Sequence, residues 1–169
     1  MLGRQNAIVR AALLVAFAAV LEAALTPFLT FGWVGPRFTV LGVVIAVTGL
    51  RGLQPLLLGF FGGVLVDALG VGSFGVGALA GVLAAVISGR FGATRRKGEG
   101  HLVPAAVVSV AVYDLLCFVS IDLSGGGGPP IIRYVLGGLV PDVLLNALLL
   151  YFVGGKLLKL VATKGERWA

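Results

Sequence analysis

Four carboxylates interrupt long apolar runs in this chain: Glu22, Asp67, Asp114 and Asp142. A charge at that depth in hydrocarbon costs roughly 2.5–3.5 kcal/mol even on a lenient insertion scale, so such residues face protein or water. They could bind a ligand or ion, move a proton, receive a partner, or hydrogen-bond a neighbouring helix. An intramembrane aspartyl mechanism would need two of them brought together, which spacing alone does not place. Other reactive groupings are lacking. The only histidine, His101, stands beside Glu99 and Gly100 in a polar stretch and reads as solvated. No serine has a paired base, and no histidine or cysteine cluster has metal-ligand spacing. Gly59-Phe60-Phe61-Gly62-Gly63 lacks the lysine of a phosphate-binding loop. The single cysteine, Cys117, excludes an intramolecular disulfide and reads as small core filler. The expectation is a protein without catalytic activity, metal or cofactor.

The elements that must position these acids are membrane helices. Of 169 residues, 59% are hydrophobic and 12% charged, with a mean hydropathy of +1.08. Soluble domains are about 45–50% apolar and about a quarter charged. Too little polar surface exists here to cover a water-soluble fold of this size. The surplus of 13 basic over 7 acidic residues lies between apolar blocks, so it reads as a topology signal rather than a nucleic-acid surface. The expected architecture is all-α, a single integral membrane domain over 1–169. Its spans fall at about 11–29, 36–50, 53–69, 74–89, 102–123 and 134–158. The second is short for a bilayer of ~30 Å, which needs about 20 helical residues. The first could pass for a signal peptide, but its apolar run is long for one and reads as an uncleaved span.

Charge distribution tests the count. With the N-terminus inside, the inner segments contain Arg4, Arg10, Arg51, Arg90, Arg95, Arg96, Lys97, Lys156, Lys159, Lys164 and Arg167, against Arg37 and Arg133 outside. That asymmetry favours six spans with both ends in the cytoplasm, since removing one span would strand the Arg90–Lys97 cluster on the other side. Lys156 and Lys159 read as snorkelling anchors near headgroups. The longest outer connection, Asp122 to Arg133, contains Gly125-Gly126-Gly127-Gly128-Pro129-Pro130, a slack run with a stiff exit.

Helical spacing then shows what surrounds the acids. Ala18, Glu22 and Thr26 share a stripe, as do Gly59, Gly63 and Asp67, and Gly138, Asp142 and Asn146. Small and polar stripes are the faces on which transmembrane helices approach closely. By this topology Asp67 and Asp142 lie in the outer third, and Glu22 and Asp114 just outside the midplane. The polar interior is therefore expected to open outward, with Arg37 and Arg133 as counter-charges. The glycines, 27 in all, include the pairs Gly59/Gly63 and Gly77/Gly81, which predict a close hairpin turning at Gly70-Val71-Gly72-Ser73.

The stretch from Pro36 to Arg90 resembles the rod shape-determining protein MreD family. The likeness rests on Pro36 and Phe38 opening a span and Arg51-Gly52 in the inner turn. Gly59-Phe60-Phe61-Gly62-Gly63-Val64-Leu65-Val66-Asp67 follows, then Ser73-Phe74-Gly75. The family typically has a Gly-Phe-x-x-Gly-x-x-x-Asp span followed by a Leu-Gly or Phe-Gly turn, and Asn146 in the last span fits its pattern. Where the family often has an acid or amide after the proline, this chain has Arg37.

The resemblance implies a non-enzymatic scaffold of the bacterial inner membrane that binds the bitopic protein MreC. Through MreC it would reach the cytoplasmic actin-like filament and the peptidoglycan polymerase–transpeptidase pair. It also implies a fold similar to the substrate-binding subunits of energy-coupling-factor vitamin transporters, which makes such a subunit the alternative. A channel is a third reading, resting on the acids alone. For the scaffold, the expected docking or structural residues are Gly59, Phe60, Gly63, Asp67, Gly75 and Arg51. Glu22, Asp114, Asp142 and Asn146 are the intramembrane polar set.

Overall fold

A computed structural model describes residues 2–70, 74–94, 102–125 and 128–161. Within them the chain is helical throughout apart from its connections, in six bodies. These are α1 (Leu2–Leu29), α2 (Phe38–Ala46, tightening into a 3₁₀ turn at Val47–Gly49), α3 (Gln54–Leu69), α4 (Val76–Thr94) and α5 (Leu102–Leu123). The last, α6, runs in three pieces: Ile131–Tyr134, a π turn at Val135–Leu139, and Val140–Val161. Three helical stretches, Asn6–Leu29, Leu102–Leu123 and Ile131–Lys159, are long and apolar enough to cross a membrane.

Length and hydrophobicity decide where each helix sits. α2, with nine residues, is only about 14 Å long, and every residue from Thr39 to Ala46 is buried. A helix apolar all round belongs in the middle of a bundle. α2 occupies that place: it touches α1, α3, α4, α5 and α6, which pack in that order as a ring around it. Val40, Val43, Val44 and Ile45 form the centre of the core with Val15 of α1, Ala84 and Ala85 of α4, and Ala105, Ala106 and Val110 of α5. The ring's outward faces carry large apolar side chains such as Phe17, Phe61, Leu144 and Phe152, the surface a lipid solvent requires.

The tightest contact in the ring is the α3–α4 hairpin. Gly59 lies against the backbone of Gly81, and Gly63 against that of Gly77, so closely that a Cβ at any of the four would fall on its partner's backbone. The glycine pairs expected from spacing thus clasp each other within the chain, and that face is not exposed. The turn expected at 70–73 lies at the edge of the described residues, which exclude 71–73.

Two prolines explain local irregularities. Pro27 lacks the N–H that a helix interior uses, and α1 ends two residues later. There the N–H and hydroxyl of Thr30 both donate to the Thr26 carbonyl, at 2.9 and 2.7 Å. Pro141 likewise cannot donate back into the preceding turn, and the turn before it is the one that opens into the π form. This widened turn was not anticipated from the sequence.

Candidate functional site

Between α1 and α2 the chain makes a tight turn, with Phe31 and Val34 exchanging two backbone hydrogen bonds of 2.9 and 3.2 Å. Gly32 supplies the left-handed φ of +65° that this turn needs. Gly35-Pro36-Arg37 then enters the bundle, and α2 starts at Phe38, two residues later than the sequence suggested. The site forms where this short helix begins inside the ring.

A helix start leaves backbone N–H groups without intrahelical partners, and inside an apolar bundle water does not supply them. Here side chains from the ring do. Asp142 of α6 accepts the Gly35 N–H at 2.6 Å. Asn146, one turn along the same helix, accepts the Arg37 N–H at 2.7 Å. Glu22 of α1 accepts the Thr39 N–H at 2.7 Å. The Asn146 amide also donates to the carbonyls of Gly35 (3.1 Å) and Asp142 (2.9 Å), which fixes its orientation. Three buried polar residues therefore serve one backbone segment of five residues.

The charges converge on Arg37. Its guanidinium lies 3.2 Å from Asp142 through Nε and 3.3 Å from Asp114 through Nη2. It also sits over the Tyr113 ring, 4.9 Å from the centroid, a cation–π contact strengthened by desolvation. Tyr134 donates its hydroxyl to the Asp114 backbone carbonyl at 2.8 Å and stacks between Phe118 and Trp33. Counting 1.5 Å per residue from the nearest helix end puts Glu22, Asp114 and Asp142 about 10–17 Å along their helices. At 5%, 1% and 0% exposure these acids are closed over by the chain's own Gly35–Thr39 segment. The expectation that the polar interior opens outward is thus corrected. Arg37 is the counter-charge anticipated from sequence, whereas Arg133 is exposed and joins no ion pair among the described residues.

Asp67 belongs to a separate arrangement. At the end of the Gly59–Gly63–Asp67 stripe, its carboxylate accepts the N–H groups of Gly75 (2.8 Å), Gly77 (2.9 Å) and Ala78 (3.0 Å). It caps the N-terminus of α4 from the preceding helix, where a negative charge also meets the positive end of the helix dipole. Gly75 itself has φ +101°, which explains a glycine there. Of the remaining expected residues, Phe60 faces outward and stacks edge-on with Phe61. Arg51 is exposed in the turn between α2 and α3, where Gly52 has φ +68°. Cys117 is half-buried on α5. His101, Glu99 and Gly100 lie outside the described residues.

Sequence reasoning missed Thr39, Tyr113 and Tyr134 as parts of the cluster. A signal existed for the first: a Gly-Pro-Arg entry before an apolar run too short to span predicts a helix start inside the bilayer, with N–H groups needing acceptors. Chemically, the arrangement is suited to holding a helix end and its entry segment fixed. Every described carboxylate of the two clusters is engaged with backbone or with Arg37, and no group of three or more potential metal ligands exists among the described residues. Compared with family models, curated proteins and solved structures, the chain matches none.

Proposed function

We propose that this protein is a non-enzymatic scaffold of the bacterial cell-elongation machinery. It sits in the cytoplasmic membrane with both ends inside and binds MreC. Through MreC it connects the actin-like filament to the peptidoglycan polymerase–transpeptidase pair. The observation that carries this reading is the role of the motif behind the family resemblance. Gly59, Gly63 and Asp67 form one built unit, a glycine clasp ending in a carboxylate cap. A motif spent on rigidity suits a protein whose task is to present a fixed surface.

The polar residues support the scaffold over a vitamin-capturing subunit for the same reason. Glu22, Asp114, Asp142 and Asn146 hold the chain's own Gly35–Thr39 segment rather than lining an open pocket. Because the glycine face is used internally, docking passes to the outward face of α3, where Phe60 and Phe61 are 44% and 59% exposed.

Co-purification from native membranes tests this. MreC is expected to accompany the intact protein, and Phe60→Ala with Phe61→Ala to lose it while the melting temperature stays unchanged. Failure to recover MreC, or recovery of a bound vitamin by mass spectrometry, would reject the proposal.

A further inference from the structure

Spacing could not place any two of the buried acids together, but the fold does. Asp114 of α5 and Asp142 of α6 meet around one cation, with Arg37 bonding them at 3.3 and 3.2 Å. Their carboxyl groups also lie within hydrogen-bonding reach of each other, and both residues are buried, at 1% and 0% exposure. Two ionised carboxyls would present only acceptors across that contact. They would also set two negative charges against a single guanidinium, and an unbalanced buried charge is costly. The other titratable groups around the pair and Arg37 are acidic: Glu22 from α1, Tyr113 and Cys117 from α5, and Tyr134 from α6.

Hydrogen bonding tells the two acids apart. Asp142 accepts from the Gly35 N–H, Arg37 Nε and the Asn146 amide, at 2.6, 3.2 and 3.4 Å. Among the described residues Asp114 accepts from Arg37 alone, and its buried Oδ2 has no partner. Donors favour the ionised form of a carboxyl, and a buried oxygen without one is costlier on a charged group than on a neutral one.

We infer that Asp114 and Asp142 form a proton-binding site, in which one proton sits on Asp114 between the two carboxyls and Arg37 balances the charge left on Asp142. The proton converts an acceptor–acceptor contact into a hydrogen bond from α5 to α6. It also leaves the orphan oxygen on a neutral group. Two neighbouring ring helices are thereby joined beside the segment that leads into α2. The site is internal and independent of any docking partner.

Asp114→Asn tests this, because asparagine has nearly the shape of aspartic acid and its amide can donate to Asp142 as the proton does. In infrared spectra at neutral pH, the parent is expected to show the carbonyl band of a protonated carboxyl that Asp114→Asn lacks. Carboxylate bands should be the same in both. Loss of a carboxylate band in the variant, with no loss of a protonated one, would overturn the inference. Carbon-13 NMR of the unaltered protein, labelled at its aspartate carboxyls, decides the matter if the variant does not fold. One of the four aspartates is expected at the shift of a protonated acid at neutral pH, whether the salt is sodium or choline chloride. All four at carboxylate shifts would overturn the inference. So would a protonated signal that sodium abolishes, because the pair would then hold a metal cation.

Discussion

Replacing Arg37 with methionine removes the guanidinium while keeping most of the apolar stem. Asp114 and Asp142, at 1% and 0% exposure, would lose the cation that lies 3.3 and 3.2 Å from them. Removing one partner of a buried ion pair costs about 3–5 kcal/mol, chiefly because the abandoned charge stays desolvated. For a chain of this length, each kcal/mol moves the melting temperature by about 2–4 °C, so the expected drop is roughly 6–20 °C. Thermal unfolding in lipid nanodiscs measures it. The same reasoning predicts a rescue. Adding Asp114→Asn and Asp142→Asn removes the stranded charges, and the side-chain amide oxygen introduced by Asp142→Asn can still accept the Gly35 N–H. The triple variant is therefore expected to recover most of the loss. An Arg37→Met protein that melts within about 2 °C of the parent, or a triple variant less stable than the single one, would refute the reasoning.

Three further outcomes follow from the geometry. Asp142→Asn is expected to cost about 1–3 kcal/mol, and Asp114→Asn distinctly less. Asp142 engages Gly35, Arg37 and Asn146, whereas one oxygen of Asp114 has no partner within the chain; paired melting curves check this. Gly63→Ala places a methyl on the Gly77 backbone and should cost about 1–3 kcal/mol by overpacking. Gly89→Ala on the same hairpin meets open space and should be neutral or favourable, so equal effects in a thermal assay would discount the clasp. Asp67→Ala should cost about 0.5–2 kcal/mol by removing the cap of α4, with faster amide exchange at Gly77 and Ala78 as the local signature.

Much of this architecture is legible in the sequence because lipid enforces simple rules. Apolar block lengths gave six helices, with α5 matching the expected 102–123 span at both ends. Four-residue spacing correctly put Gly138, Asp142 and Asn146 on one face, and that face is buried. What spacing cannot supply is the identity of a long-range partner. Glu22 and Asp142 hydrogen-bond backbone 17 and 107 residues away, and no periodicity encodes such a pairing. By spacing Asp67 reads as part of the Gly59–Gly63 docking face, because a helix cap is ordinarily sought just before the helix it serves. Here it comes from the end of the previous helix, eight to eleven residues upstream. Arg37 illustrates the opposite case: charge distribution marks it, together with Arg133, as a counter-charge for the acids, and of the two Arg37 makes the pairs. The π turn before Pro141 has no signature of its own in the sequence, since a proline in a long apolar run reads equally well as a simple kink.

Buried acids and an amide act in this protein as caps for a helix that begins inside the bundle. Residue-resolved hydrogen exchange of the Arg37 and Thr39 amides, by NMR in nanodiscs, addresses that role without altering the protein. Protection matching that of Val43 and Val44 in the core of α2 is the predicted result. Exchange as fast as that of the exposed Gly32 amide would contradict the account.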